Sequence, residues 1–211
     1  MLLRNKINNY ISRGTIKVPW LTITIALIAL FLFVLGPDKN SCFIFNKTDV
    51  CAGEIWRLFT GQLIHNNFDH LFWDVFAFIV LGSTIEIACR KKFILSFLLS
   101  SISVCIWMFV VEKGYVVYYG LSGLLNGLLV MAVFAKWAET KNKWFLTILP
   151  AAAIKMLYEM ATKNVFFIDP SIATIPGTHL AGFLMGMILV IINNKYYLSH
   201  IKIQRSNVVE C

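Results

Sequence analysis

Apolar positions in this chain come in long runs, not in the alternating or one-face patterns of a water-soluble domain. A run of roughly 18 or more residues with almost no charge is long enough to cross a membrane as a helix. Six segments fit, at about 18–36, 67–88, 93–112, 121–136, 144–161 and 177–194. Gly36-Pro37 closes the first, and Arg90-Lys91-Lys92 and Glu112-Lys113 bracket the third. The pattern predicts an all-α membrane protein, a six-helix bundle forming a single domain over residues 1–211. A polar connection of about thirty residues joins the first two spans. Residues 1–17 are polar and basic, and no small-residue cleavage site follows Val18–Leu35. That run therefore reads as a retained helix and not as a signal peptide.

Composition agrees: 58% of residues are hydrophobic, 14% are charged, and the mean hydropathy is +0.72. A soluble domain of this size needs far more polar surface to cover its core. The net charge of +8 changes the picture only through its distribution. With the N-terminus inside, 13 of the 19 Lys and Arg residues fall in cytoplasmic segments and 5 in outer ones, and Lys155 lies within the fifth span. This bias predicts cytoplasmic N- and C-termini. The basic residues are accounted for by the lipid bilayer, and no nucleic-acid-binding pattern is present. The expected location is a multi-pass position in a bacterial inner membrane.

That topology brings the starts of spans two, four and six to the outer side, where they carry His70, Ser122 and His179. Polar side chains at membrane depth are costly and mark functional sites by default. Ser122 lies in Gly120-Leu121-Ser122-Gly123. Small neighbours allow close approach of a substrate backbone, and a helix N-terminus offers free N–H groups to a developing oxyanion. A helix-capping serine with neighbours chosen for packing fits the same four residues. His179 precedes a small-xxx-small pair, Gly182 and Gly186, which lets another helix come very close. If that helix is span four, His179 reaches Ser122 as a general base; otherwise it is a hydrogen-bonded core histidine. His70 and Asp74 lie four apart and share a helix face. His65 and His70 lie five apart, poor spacing for two ligands on one helix; a metal site is the rival reading, but the Cys and His pairs needed to complete one are missing, and no metal or cofactor is expected.

In order, Trp56-Arg57, His65, His70, Gly120-Leu121-Ser122-Gly123 and His179-Leu180-Ala181-Gly182-Phe183-Leu184-Met185-Gly186 resemble the rhomboid intramembrane proteases over roughly residues 53–190. The short chain and Ala153-Ile154-Lys155-Met156-Leu157-Tyr158-Glu159 look like the rhombosortase branch. The resemblance implies Ser122 as nucleophile and His179 as base and then acid, with the oxyanion held by the Ser122 N–H and His70. It also implies support from Asp74, Gly120 and Gly123, and a membrane-edge first loop carrying Trp56-Arg57. The substrate implied is a membrane-anchored protein, in the rhombosortase case one with a Gly-rich C-terminal tail helix. The chain departs from many rhomboids at Asp74, where they carry Asn, at Asn126, where they carry Tyr, and at Gly61, where some carry His. An ionised Asp74 would oppose an oxyanion, a protonated one would donate to it, and one paired with a histidine would be structural.

Cys42 and Cys51 share the outer loop, where an oxidising environment favours a disulfide over two free thiols. Cys89, Cys105 and Cys211 are expected to be inert. Lys155 and Glu159, four apart in span five, read as an ion pair that fixes helix packing, with a direct catalytic role as the alternative. Two other functions fit parts of the chain: an inactive rhomboid relative that binds membrane proteins, and a small transporter with a polar path through Lys155, Glu159 and Asp74. The latter predicts internal repeats, which the sequence lacks. Oligomeric state is not legible.

Overall fold

The computed structural model describes residues 17–35, 42–113, 117–162 and 175–206. Eight α-helices occur among them: α1 (Trp20–Val34), α2 (Lys47–Cys51), α3 (Arg57–Thr60), α4 (Phe68–Ala88), α5 (Arg90–Val110), α6 (Ser122–Thr140), α7 (Ile148–Thr162) and α8 (Pro176–Ser206). Strands β1 (Phe45–Asn46) and β2 (Val117–Tyr118) pair antiparallel, Phe45 opposite Tyr118 and Asn46 opposite Val117. Short 3₁₀ turns at Gly61–Leu63 and Lys143–Thr147 complete the order.

Local sequence accounts for where the long helices begin. The Asn67 side chain accepts the His70 N–H at 2.8 Å, which starts α4 at Phe68 and sets His70 in its first turn. Cys89 is extended, a one-residue break that ends α4 and begins α5. Pro176 opens α8, where its missing N–H costs nothing. The start of α1 is closed from elsewhere in the fold. Pro19 offers no side-chain cap, and Glu86, near the end of α4, accepts the N–H groups of Leu21 (3.1 Å) and Thr22 (2.8 Å) and the Thr22 hydroxyl. Arg90 holds the same carboxylate at 3.0 Å.

One core cluster joins Phe78, Ile85 and Phe93 to Leu121, Leu124 and Leu128 of the α6 region, and a second packs Phe45 and Tyr118 of the paired strands against Val104 and Met108 of α5. Phe72, Trp73 and Phe76 lie exposed along α4, as lipid-facing residues do. Helices Phe68–Ala88, Arg90–Val110 and Lys143–Thr162 are long and apolar enough to cross a membrane; Trp20–Val34 and Pro176–Ile192 are shorter apolar helices.

Several boundaries differ from the sequence reading. Helix α5 starts at Arg90, so the three basic residues expected to flank it form its first turn. Helix α8 runs to Ser206, well past the expected end near 194, because loss of apolar character ends a membrane span but not a helix. The fifth segment opens in 3₁₀ form, where Asn142 accepts the Trp144 N–H at 3.0 Å. The long polar connection holds ordered elements built around Arg57. Its buried guanidinium donates to the Ile44 carbonyl at 2.7 Å and pairs with Glu54 at 2.7 Å and Asp49 at 3.3 Å. Gly36-Pro37, Lys163 and Cys211 lie outside the described residues.

Candidate active site

Ser122 is the first residue of α6, and the turn before it is made by Gly120 at φ +107°, a conformation side chains rarely adopt. A Cβ on Gly120 would also come within 2.7 Å of the His70 ring. The residue ahead of the helix is Leu121, which gives no side-chain cap. Ser122 is therefore not spent on capping. Its half-buried hydroxyl lies 3.0 Å from His179 Nε2.

Glycines on both helices set that distance. A Cβ on Gly182 would run into the Gly123 carbonyl oxygen, and one on Gly186 would lie 2.7 Å from the carbonyl oxygen of Gly127. Helices α6 and α8 thus meet backbone to backbone along Gly123, Gly127, Gly182 and Gly186. Gly127 was missed by sequence reasoning, although its four-residue spacing from Gly123 mirrors the pair on α8.

The buried His179 faces a second partner. Its Nδ1 lies 2.8 Å from Glu159 Oε2, and Lys155 donates to Glu159 Oε1 at 2.5 Å. A carboxylate only accepts, so Nδ1 carries the proton and Nε2 is left to accept from Ser122. Glu159 is fully buried. The Lys155–Glu159 pair expected from the sequence is present, but it does not stop at holding α7. The contact to His179 crosses twenty residues of chain and leaves no trace in local spacing.

A second histidine–carboxylate cluster lies on the other side of the Gly120 turn. Asp74 Oδ2 accepts the Leu121 N–H at 2.8 Å and lies 3.1 Å from His65 Nε2. The other His65 nitrogen faces the Leu63 carbonyl at 3.2 Å. Both His65 ring nitrogens thus face oxygen atoms, one of the backbone and one of the carboxylate. Asp74 is thereby tied to a histidine and to the backbone next to Ser122. His70 Nε2 is 3.3 Å from the same oxygen but out of hydrogen-bonding alignment, and it stays an unpartnered buried nitrogen among the described residues. Its Nδ1 makes a long 3.4 Å contact to Asn66.

The spacing objection to a metal assumed that both histidines lie on one helix. His65 instead precedes α4, its ring stacks edge-on against His70 at 4.9 Å, and the ligand atoms of His65, His70 and Asp74 lie within 4.8 Å of one another. Asp74 Oδ2 already serves Leu121 and His65, while His70 Nε2 has no hydrogen-bond partner among the described residues.

Other residues frame the site. Tyr118 OH accepts the Gly123 N–H at 3.3 Å, and burial pushes this phenol up to about 12. Sequence reasoning missed Tyr118, whose place beside Ser122 depends on β2. Asn126 points back along its own helix, donating to the Ser122 carbonyl at 2.8 Å. Gly61 accepts the Gly120 N–H at 3.3 Å, and a Cβ there would collide with Phe45, so packing explains its lack of a side chain. Trp56 is half exposed and donates to the Cys42 carbonyl at 3.0 Å. The expected Cys42–Cys51 disulfide is absent: both are exposed free thiols. Cys42 precedes β1 and Cys51 ends α2, and the segment between them is fixed by Asn46, Arg57 and the strand pair instead.

Residues 52–196 match the family described as Rhomboid domain. Among curated proteins no match to the chain is found.

Proposed function

The chain belongs to the rhomboid family, and on that premise we propose that it is an intramembrane serine endopeptidase with Ser122 as nucleophile and His179 as general base. The observation that carries this reading is the 3.0 Å contact between Ser122 Oγ and His179 Nε2 at the start of α6, with the histidine tautomer set to accept a proton.

The chemistry runs as acyl transfer. Ser122 Oγ attacks the scissile carbonyl carbon while its proton passes to His179 Nε2. The tetrahedral oxyanion is held by the Ser122 N–H at the helix N-terminus. His70 assists from Nε2 when that nitrogen carries a proton. His179 then gives the proton to the leaving amine, and water, deprotonated by the same ring, releases the acyl group. Asp74 enters as a support: its carboxylate oxygen is engaged by His65 and by the Leu121 N–H, so it does not confront the oxyanion as a free carboxylate.

The substrate we propose is the membrane-spanning segment of an anchored protein, with C-terminal Gly-rich tail helices of the rhombosortase type as the first class to test. Six spans, cytoplasmic termini and a site opening to the outer face of a bacterial inner membrane belong to the same reading, supported by the Lys and Arg bias. Cleavage of tagged tail-helix substrates in membranes tests it. Wild type should cut, and Ser122→Ala and His179→Ala should each lose about 10⁴-fold or more. Equal cutting by Ser122→Ala would sink the serine mechanism.

A further inference from the structure

We infer that Glu159 is the third member of a Ser122–His179–Glu159 triad, a positioning residue that makes proton transfer depend on how α7 is docked. This deepens the protease reading above and rests on it.

Three observations carry the inference. First, the geometry is directional: Glu159 Oε2 meets the nitrogen of His179 that faces away from Ser122, at 2.8 Å. That contact selects the tautomer able to take the serine proton, and it places an anion beside the imidazolium that forms when it does. Second, the carboxylate is fully buried, whereas its partner Lys155 has a side chain 36% exposed. A pair serving helix packing alone needs one carboxylate oxygen against one ammonium. Here the second oxygen is aimed at the ring. Third, the buried residues of α7 are Ala152, Met156 and Glu159, while Ile154 and Leu157 are largely exposed. The helix therefore rests on the bundle along a narrow strip that ends in the carboxylate touching His179. Displacing α7 by one side-chain length removes that contact while Ser122 and His179 keep their glycine-lined seam. The α6–α8 seam alone gives a dyad, and α7 in place makes it a triad.

The test uses full-length protein in proteoliposomes, with two readouts. One is kcat and KM for a tagged transmembrane-helix substrate. The other is the rate of covalent labelling of Ser122 by a fluorophosphonate, which reads serine reactivity without the natural substrate. Glu159→Gln keeps size and loses charge; it should lower kcat and the labelling rate about 10²- to 10⁴-fold with KM within about threefold, the upper end being the loss of about 10⁴-fold seen when a triad carboxylate is neutralised. Glu159→Asp should recover part of that loss. Lys155→Met should cost about tenfold or less, since Lys155 acts on the carboxylate and not on the ring. Met156→Ala loosens the same strip with the carboxylate intact and controls for docking; it should cost less than Glu159→Gln.

A Glu159→Gln protein within about threefold of wild type, with Ser122→Ala dead, would overturn the triad and leave the protease reading standing. A loss in Met156→Ala as large as in Glu159→Gln would overturn it too, reducing Glu159 to a docking residue. Wild type and Ser122→Ala that behave alike in both readouts would overturn the protease reading and the triad together.

Discussion

Two histidine–carboxylate clusters flank Ser122, and they end on different groups. On one side Glu159 holds His179, and His179 holds the serine hydroxyl, so the chain of contacts ends on a side-chain oxygen. On the other side Asp74 holds His65, and its oxygen also takes the Leu121 amide, so the chain ends on backbone. The residue types are the same, and in both clusters the carboxylate is buried. What differs is the last acceptor or donor in line. A hydrogen-bond relay that finishes on a solvent-reachable hydroxyl can move a proton. One that finishes on an amide fixes a turn, here the Gly120 turn that presents Ser122.

The comparison is most strongly tested at Asp74. Asp74→Ala leaves the Leu121 N–H and the His65 ring buried without their acceptor, and should destabilise the protein by about 3 kcal/mol. Asp74→Asn keeps an acceptor for Leu121 and should cost about 1 kcal/mol. Thermal unfolding in detergent separates the two variants. An Ala variant as stable as wild type would break the comparison, because Asp74 would then not be fixing the turn.

The seam comes next. Gly182→Ala pushes a methyl into the Gly123 carbonyl, and backbone cannot swing aside. The variant should lose about 2 kcal/mol of stability. It should also lose about 100-fold in cleavage, since a shift near 1 Å between reacting groups costs that much. Its effect should fall on the His179 side, so binding of a noncovalent ligand elsewhere on the bundle should be unchanged while fluorophosphonate labelling slows. Labelling at the wild-type rate would show that the helices re-pack without moving the dyad.

The smallest effect is expected at Tyr118, between the two clusters. Burial raises its phenol from 10.0 to about 12, so the folded protein holds that proton more tightly than the unfolded chain. The sign follows from linkage: the stabilisation is whole below pH 10 and is lost as pH rises toward 12. Wild type should therefore lose more stability across that window than Tyr118→Phe, measured as the fall in melting temperature of each. Parallel falls would mean that the phenol is reached by solvent.

Much of this site was legible along the chain because membrane depth makes polar residues conspicuous. Ser122, His179, His70 and Asp74 stand out against apolar runs, and the Gly182–Gly186 spacing announces a close helix contact. The local pattern was weaker where one residue type serves two ends. Lys155 and Glu159 read as an i,i+4 pair, which they are, and nothing nearby says that the other oxygen of Glu159 meets a ring on α8. His65 read as a poor partner for His70 because both were laid on one helix, whereas Asn67 starts the helix between them. The two cysteines of the outer loop suggested a staple, but Arg57 and the two-residue strand pair order that loop instead.

By itself the sequence determined the membrane setting and the helical class, because both follow from composition and from periodicity within one segment, and its motifs singled out Ser122 and His179 as candidates. Tertiary structure alone decided the Ser122–His179 distance, the tie between Glu159 and His179, the anchoring of Leu121 by Asp74 and the capping of α1 by Glu86. The physical reason is common to all four. Each is a hydrogen bond between segments far apart in the chain, and its geometry depends on which helix faces are pressed together.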